Sequence, residues 1–562
     1  MRRGSAATAA TFLGIHVATL LAIFLSEGSQ RFRLVSTASN LGFSAIAIVM
    51  IVDVGLLAIG KTNWRVLAWA TFGLAAYEFF LLECAFLTDL LGFRYVWQYS
   101  AVDMEPWFKA VAPWAGQAGS LMLWMVLSTL VGASYRRGLD LEPSQASLFA
   151  AAAVQVVNAV VFVVVAYLAP FEVWLAPIFE DGLGLNPLLK TQYMIWHPLF
   201  VFASYAALTV PFVLCVAFLL RPSWRDQTNE RALAAHLRWG WLVLSLGIGL
   251  GTYWAKQSFA WERWWGWDPV ETATLAPWFL ATAYFHQRGI RQRNPRLEAG
   301  TVVAAFGSVV FASLLTRGGG LNSLHSFAGN AQLVTWLVVE GGALLALLLA
   351  MAYAAIGSVV DDWGDARKVL DQLGYLVLLL FAVAFTLGLY LPSLTWELSR
   401  VLPLDTFYVG EEFFSNVGLA LAIALSVVTY SCTLARVSRS GFKHQVLGLL
   451  VPIAVDAGAL AGGLASSEEP GLFAVPFYLV AAAACLVSLA SDLRKRGLRT
   501  MAGPSVKTLV HLGTCLVLVG TATTRFAAYE YFYVVGFLVM VGGFLPGLLA
   551  NRGAKVEGER VA

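Results

Sequence analysis

Residues Trp261 to Glu271 read W-E-R-W-W-G-W-D-P-V-E, with four tryptophans in seven residues followed by an acid and a proline. Indoles at this density predict a flat aromatic surface. That surface suits a large planar apolar ligand, because stacked rings supply both area and a geometric preference. The other common use of membrane tryptophan, an interfacial belt, scatters its rings over many helix ends and does not gather them in one loop.

Four of the seven histidines pair up by depth. His197, in Ile195-Trp196-His197-Pro198, begins an apolar run, and His325 follows Arg317-Gly318-Gly319-Gly320; both fall on the side of the Trp loop. His286 lies roughly 22 Å down the helix that begins at Glu271, and His511 stands near the start of its own run at a similar depth. A lone intramembrane histidine also serves as a packing or relay residue. Two level pairs shift the reading towards ligation. Two imidazoles fill the axial positions of a haem iron, whereas zinc takes three or four ligands and usually cysteine. Cys84, Cys215, Cys432, Cys485 and Cys515 are scattered, with no C-x-x-C or C-x-x-C-H, so any haem is held without covalent bonds. His16, His236 and His444 receive no role.

The elements that must position these residues are membrane helices. The chain is 59% hydrophobic and 13% charged, with a mean hydropathy of +0.71, which leaves only lipid to cover its apolar surface. Apolar runs predict an all-α polytopic bundle of about 15 transmembrane helices, 16 if residues 8–25 form one, with short loops. Residues 1–39 read as an N-terminal extension, signal anchor or uncleaved extra helix, 40–550 as the membrane domain with its Trp loop at 257–271, and 551–562 as a cytoplasmic tail. Alternate loops carry 25 of the 37 Lys and Arg, which places those loops in the cytoplasm and the Trp loop outside.

Asp268 and Arg317 each have two open uses. Asp268 either contacts the ligand or fixes the loop by accepting backbone hydrogen bonds; Arg317 either clamps a carboxylate or is a helix-end arginine. The intramembrane acids Asp53, Glu78, Glu83, Glu340 and Asp456 serve a proton or quinol route or hydrogen-bond between helices.

These residues resemble the CcmF family of bacterial cytochrome c haem lyase subunits, within the haem-handling superfamily defined by a WWD loop. The resemblance runs through Ala85-Phe86-Leu87-Thr88-Asp89, Gly119-Ser120-Leu121-Met122-Leu123-Trp124, Leu185-Asn186-Pro187, His197-Pro198, Trp264-Trp265-Gly266-Trp267-Asp268-Pro269-Val270-Glu271, Leu315-Thr316-Arg317-Gly318-Gly319, His325, Leu387-Gly388 and His511-Leu512-Gly513. It implies a bacterial inner-membrane haem lyase component of the holocytochrome c synthase type. By resemblance, Trp264, Trp265, Trp267 and Asp268 present a transferred haem between His197 and His325, while His286 and His511 hold a resident b haem; the carboxylate open to Arg317 is then a haem propionate. It further implies a CcmE-like haem chaperone, a CcmH-like thiol partner, apocytochrome c with its C-x-x-C-H motif, quinol as electron donor and a quinol:haem oxidoreductase step. No nucleic acid enters.

The chain departs from that pattern in three places. It has Gln117-Ala118-Gly119-Ser120 where the family reads His-Glu-Gly-Ser, Thr272 where it reads Asn, and a short link near Arg525 to Tyr529 where larger members insert a soluble domain. Part of the docking surface is therefore expected either to be absent or to lie elsewhere, with the outer loop 392–415 as the candidate. Two rivals stand beside this reading: a haem transporter, which without a Gly-Lys-Ser/Thr ending would need a partner ATPase, and a quinone-linked redox subunit.

Overall fold

The computed structural model describes residues 18, 22–23, 25–60, 64–139, 142–173, 181–258, 264–289, 294–318, 323, 331–361, 366–437, 442–461, 470–496, 505–523 and 528–558. They are almost wholly helical; the one β-bridge among them joins Phe93 to Val173. The chain divides into two compact units, Met1–Gly247 and Ile248–Ala562.

The first unit holds α1 (Gly28–Ala58), α2 (Trp64–Leu87), α3 (Gln117–Arg137), α4 (Gln145–Leu168), α5 (Tyr193–Leu220) and most of α6 (Gln227–Ser258). The second holds the end of α6 and then α7 (Pro269–Gly289), α8 (Pro295–Gly318), α9 (Ala331–Asp361), α10 (Ala366–Ser399), α11 (Glu411–Val437), α12 (Phe442–Ala461), α13 (Val475–Arg496), α14 (Ser505–Ala522) and α15 (Tyr529–Gly558). Among the described residues a helix stands at each of the fifteen predicted spans, and thirteen of these helices are long and apolar enough to cross a membrane. The chain is a multi-pass membrane protein. The two helices outside those thirteen are α7 and α12. In α7 the apolar run is broken by Thr272, Thr274, Thr282, His286 and Gln287, and its apolar stripe of Ala276, Leu280 and Ala283 is buried against neighbouring helices, which makes it an internal helix.

The structure corrects two expected boundaries. The helix after the N-terminal extension starts at Gly28, because Arg31 donates to the carbonyls of Ser26 (2.9 Å) and Ile23 (3.1 Å) and so ties the polar first turns down. The position 39/40 therefore falls inside α1. At the other end α15 runs on to Gly558, past residue 550. The predicted helix at 8–25 falls almost entirely outside the described residues.

A buried ion pair joins helices of the first unit. Asp53 on α1 (0% exposed) meets Arg136 on α3 (1% exposed) at 2.7 Å, and Arg136 also donates to the Ala151 carbonyl of α4 at 3.3 Å. One guanidinium thus joins three helices. Arg136 belongs among the loop cations on sequence grounds, but α3 continues to Arg137 and Asp53 draws it inward. Nearby, Gln155 donates to Thr71 (3.1 Å) and Ser128 to Asn158 (2.6 Å), so two further side-chain hydrogen bonds link α2, α3 and α4. Glu78 differs: it is fully buried, neither carboxyl oxygen has a partner among the described residues, and its head fills the notch left by Gly42.

Removing one member of a buried ion pair strands the other charge at a cost of about 3–5 kcal/mol, whereas replacing both by apolar groups is close to neutral. The Arg136→Met protein should therefore unfold well below the wild type in a thermal scan in detergent, and Asp53→Leu/Arg136→Met should recover most of the loss. A double variant no more stable than the single one would refute the pairing.

Candidate functional site

The Trp loop closes onto α7 through Asp268. Its Oδ1 accepts from the backbone N–H of Val270 (2.9 Å) and Glu271 (3.2 Å), while the Asp268 carbonyl accepts from Thr272 N–H at 2.8 Å. This is a helix N-cap, with a carboxylate placed at the positive end of the helix dipole. The same Oδ1 accepts from Ser323 Oγ at 2.8 Å, which ties the segment two residues before His325 to the loop. Of the two uses open to Asp268, loop fixing is the one seen. His325 itself lies outside the described residues.

The three described indoles do not form one flat surface, which corrects the expectation from their density. Trp267 takes a left-handed φ of 56°, a conformation costing a non-glycine residue about 1–2 kcal/mol. The turn drives its ring into the bundle, where it stacks on Phe414 of α11 (6.0 Å, 19°) and meets Phe385 of α10 edge-on (5.5 Å, 72°). Trp265 lies at 81° to Trp267 and is half-buried. Trp264 is 2% exposed and stacks on Tyr533 of α15 at 4.1 Å. Successive rings part because each finds its partner on a different helix. Beside this aromatic wall, Phe413 lines a groove of about 870 Å³ with Leu387 and Leu391 of α10 and with Phe407, Tyr408 and Glu412 of the segment expected to serve docking.

At the far end of α7, His286 and His511 of α14 approach with ring centres 6.0 Å apart and planes 31° apart. A metal–imidazole bond is ~2 Å, so two such bonds plus ~1 Å from each nitrogen to its ring centre give about 6 Å. The pair thus has the spacing of two axial ligands to one ion. His286 Nδ1 lies 2.9 Å from the Thr282 carbonyl. A carbonyl only accepts, so Nδ1 carries the hydrogen and the lone pair sits on Nε2. No group of three or more His, Cys, Asp and Glu gathers among the described residues, and two imidazoles are the donor set that a porphyrin iron takes.

His197, in the first unit, repeats the arrangement: its Nδ1 lies 2.8 Å from the Gly247 carbonyl of α6 and so carries the hydrogen. Seven residues on, Ser204 donates to the Gly240 carbonyl at 2.9 Å, so α5 and α6 are joined at two levels. Arg317 is 6% exposed and donates to the carbonyl (3.1 Å) and Oγ (2.9 Å) of Ser313, one turn back on α8. Of the other acids, Glu83, Glu340 and Asp456 are each half-buried.

The description "Cytochrome C assembly protein" belongs to the family model that matches residues 114–320, the stretch holding His197, the Trp loop, His286 and Arg317. The chain is 28% identical over 476 residues to the cytochrome c-type biogenesis protein CcmF of Escherichia coli (strain K12), covering 82% of this chain and 72% of that one. It is 30% identical over 424 residues to the CcmF of Pseudomonas aeruginosa, covering 72% of this chain and 62% of that one. A solved structure described as "Cytochrome c Heme Lyase CcmF" shares the fold, with a TM-score of 0.65 at 22% identity over 87% of this chain and 77% of that one.

If Asp268 acts as cap and tie, Asp268→Asn, which keeps the accepting oxygen, should retain the wild-type thermal midpoint and haem content. Asp268→Ala should lose about 1 kcal/mol of stability and free the segment around Ser323. Equal damage from both substitutions would show that the negative charge itself is required.

Proposed function

We propose, from the premise that this chain belongs to the CcmF family of cytochrome c-type biogenesis proteins, that it is the haem lyase subunit that joins haem to apocytochrome c. The observation that carries the reading is the 6.0 Å approach of His286 and His511, each on a different helix of the second unit. In this reading the two residues hold a resident b haem, which supplies one-electron chemistry when bound. Thr282 fixes the tautomer of His286.

The loop lies outside the bacterial inner membrane, as the excess of Lys and Arg on alternate loops supports. A CcmE-like chaperone hands haem to it; His197 and His325 would ligate the iron, and Trp265 is the indole left to face the ring. Arg317 is the candidate partner for a propionate. Each thioether then forms by addition of a cysteine S–H across a vinyl C=C: sulfur bonds one carbon, the hydrogen goes to the other, and no net electron transfer occurs. The protein's part is therefore positioning, together with keeping the iron reduced through quinol and the resident haem. Apocytochrome, brought by a CcmH-like partner, meets the haem where the groove at Phe413 and the Trp267 site share the Phe413–Phe414 wall.

The purified protein should show a low-spin b-type spectrum. His286→Ala or His511→Ala should remove or convert its Soret and α bands, and a quinol analogue should reduce the wild-type haem without dithionite. An unchanged low-spin spectrum in the double variant would refute the ligand assignment.

Lyase and transporter part on the side from which haem is supplied. Reconstituted protein and partners, given haem-loaded chaperone and apocytochrome at the loop side only, should yield haem that resists acid-acetone extraction. Strict dependence on haem supplied from the cytoplasmic side would replace the lyase with the transporter.

A further inference from the structure

Trp264 differs from the other indoles of the loop. The parallel Tyr533 ring covers it at 4.1 Å and 8°, and the Lys256 ammonium stands 4.7 Å from its ring centre. Tyr253 and Tyr529 close its rim at 5.9 and 6.3 Å. At 2% exposure it has no face left for a porphyrin. Lys256, near the end of α6, also stands 4.8 Å from the Tyr529 ring centre and pairs with Glu530. Tyr533 in turn shares a 2.7 Å hydrogen bond with Thr252 of α6.

The relative strengths decide what holds this assembly. The Glu530 side chain is 53% exposed, so its ion pair contributes little. A cation against two aromatic faces, with its own side chain only 17% exposed, is the stronger attachment. We propose that Lys256 and Tyr533 clamp Trp264 as a positioning residue, fixing the haem-presenting loop to α15 and thereby to the neighbouring helix that carries His511. The clamp rests on the proposed presentation of haem at this loop.

The link from α15 to α14 is close. A Cβ at Gly520 would lie 2.6 Å from the Tyr533 backbone nitrogen, and one at Gly513 would lie 2.3 Å from that of Met540, so glycine alone permits the contact. His511 stands nine residues before Gly520 on α14, roughly 13 Å along the helix axis. The clamp therefore sets the height of the loop over the His286–His511 pair.

The test uses full-length protein in detergent with two readouts: backbone hydrogen exchange of residues 264–271, which needs no haem, and uptake of haem from loaded chaperone. Lys256→Met, Tyr533→Leu and Trp264→Ala should each speed exchange in the loop by roughly tenfold. Lys256→Met/Trp264→Ala should be no worse than Trp264→Ala alone. Lys256→Arg and Trp264→Phe, which keep the cation and the ring stack, should stay near wild type in both readouts, with the b-haem spectrum intact throughout. The proposal is overturned if Lys256→Met leaves exchange unchanged while Trp264→Ala abolishes haem uptake, since Trp264 would then act on haem directly. It is equally overturned if exchange quickens in Lys256→Met and haem uptake does not fall. Should the wild type itself take up no haem, the lyase reading fails, and the exchange data still decide whether the clamp exists.

Discussion

An imidazole offers a metal only one nitrogen, and a backbone carbonyl bonded to the other decides which one. His286 gives its Nδ1–H to Thr282, four residues earlier on the same helix, so its orientation is set by helical geometry and needs no partner from elsewhere. What remains is to bring a second imidazole to the right height. That task falls to α14, whose position follows from its tight packing on α15 through Gly513 and Gly520. Small residues suit this use, since helices in lipid associate by close packing and not by exclusion of water. His197 obeys the same rule with a carbonyl borrowed from the next helix, at Gly247.

The same scarcity of partners explains the other polar groups. Hydrocarbon offers no hydrogen bonds, so a charge inside the bundle is tolerated where the protein supplies its complement. Arg136 meets Asp53, and Asp268 meets three donors at the start of α7. Glu78, buried with no partner among the described residues, stands apart from this pattern.

Much of this was legible in the sequence. Helix positions followed from apolar length alone, and the pairing of His286 with His511 followed from depth, since both count residues along a helix of known rise. Orientation within the Trp loop was not legible. The density of indoles suggested one flat surface, but a left-handed residue at Trp267 turns the chain, and the rings then pair with Phe414, Phe385 and Tyr533, more than a hundred residues away. Lys256 gave no signal either. A single lysine ahead of an aromatic loop looks like any helix-end cation until its ring partners are in place. Asp268 was the exception, because an acid before proline at a helix start is a local cap signal that needs no distant partner.

The loop's rigidity also bears on the chemistry proposed for it. Thioether formation needs two thiols and two vinyl groups held in register, and a misplacement of about 1 Å can cost two orders of magnitude in rate. A loop tethered only at its ends would not supply such precision. This one is held at three points: Trp264 on α15, Trp267 on α10 and α11, and Asp268 at the start of α7 with Ser323 attached. The left-handed strain at Trp267 is sustained because those attachments over-determine the backbone between them. Of the three indoles, Trp265 makes no stacking contact with a helix among the described residues, so it is the ring left to face a planar substrate.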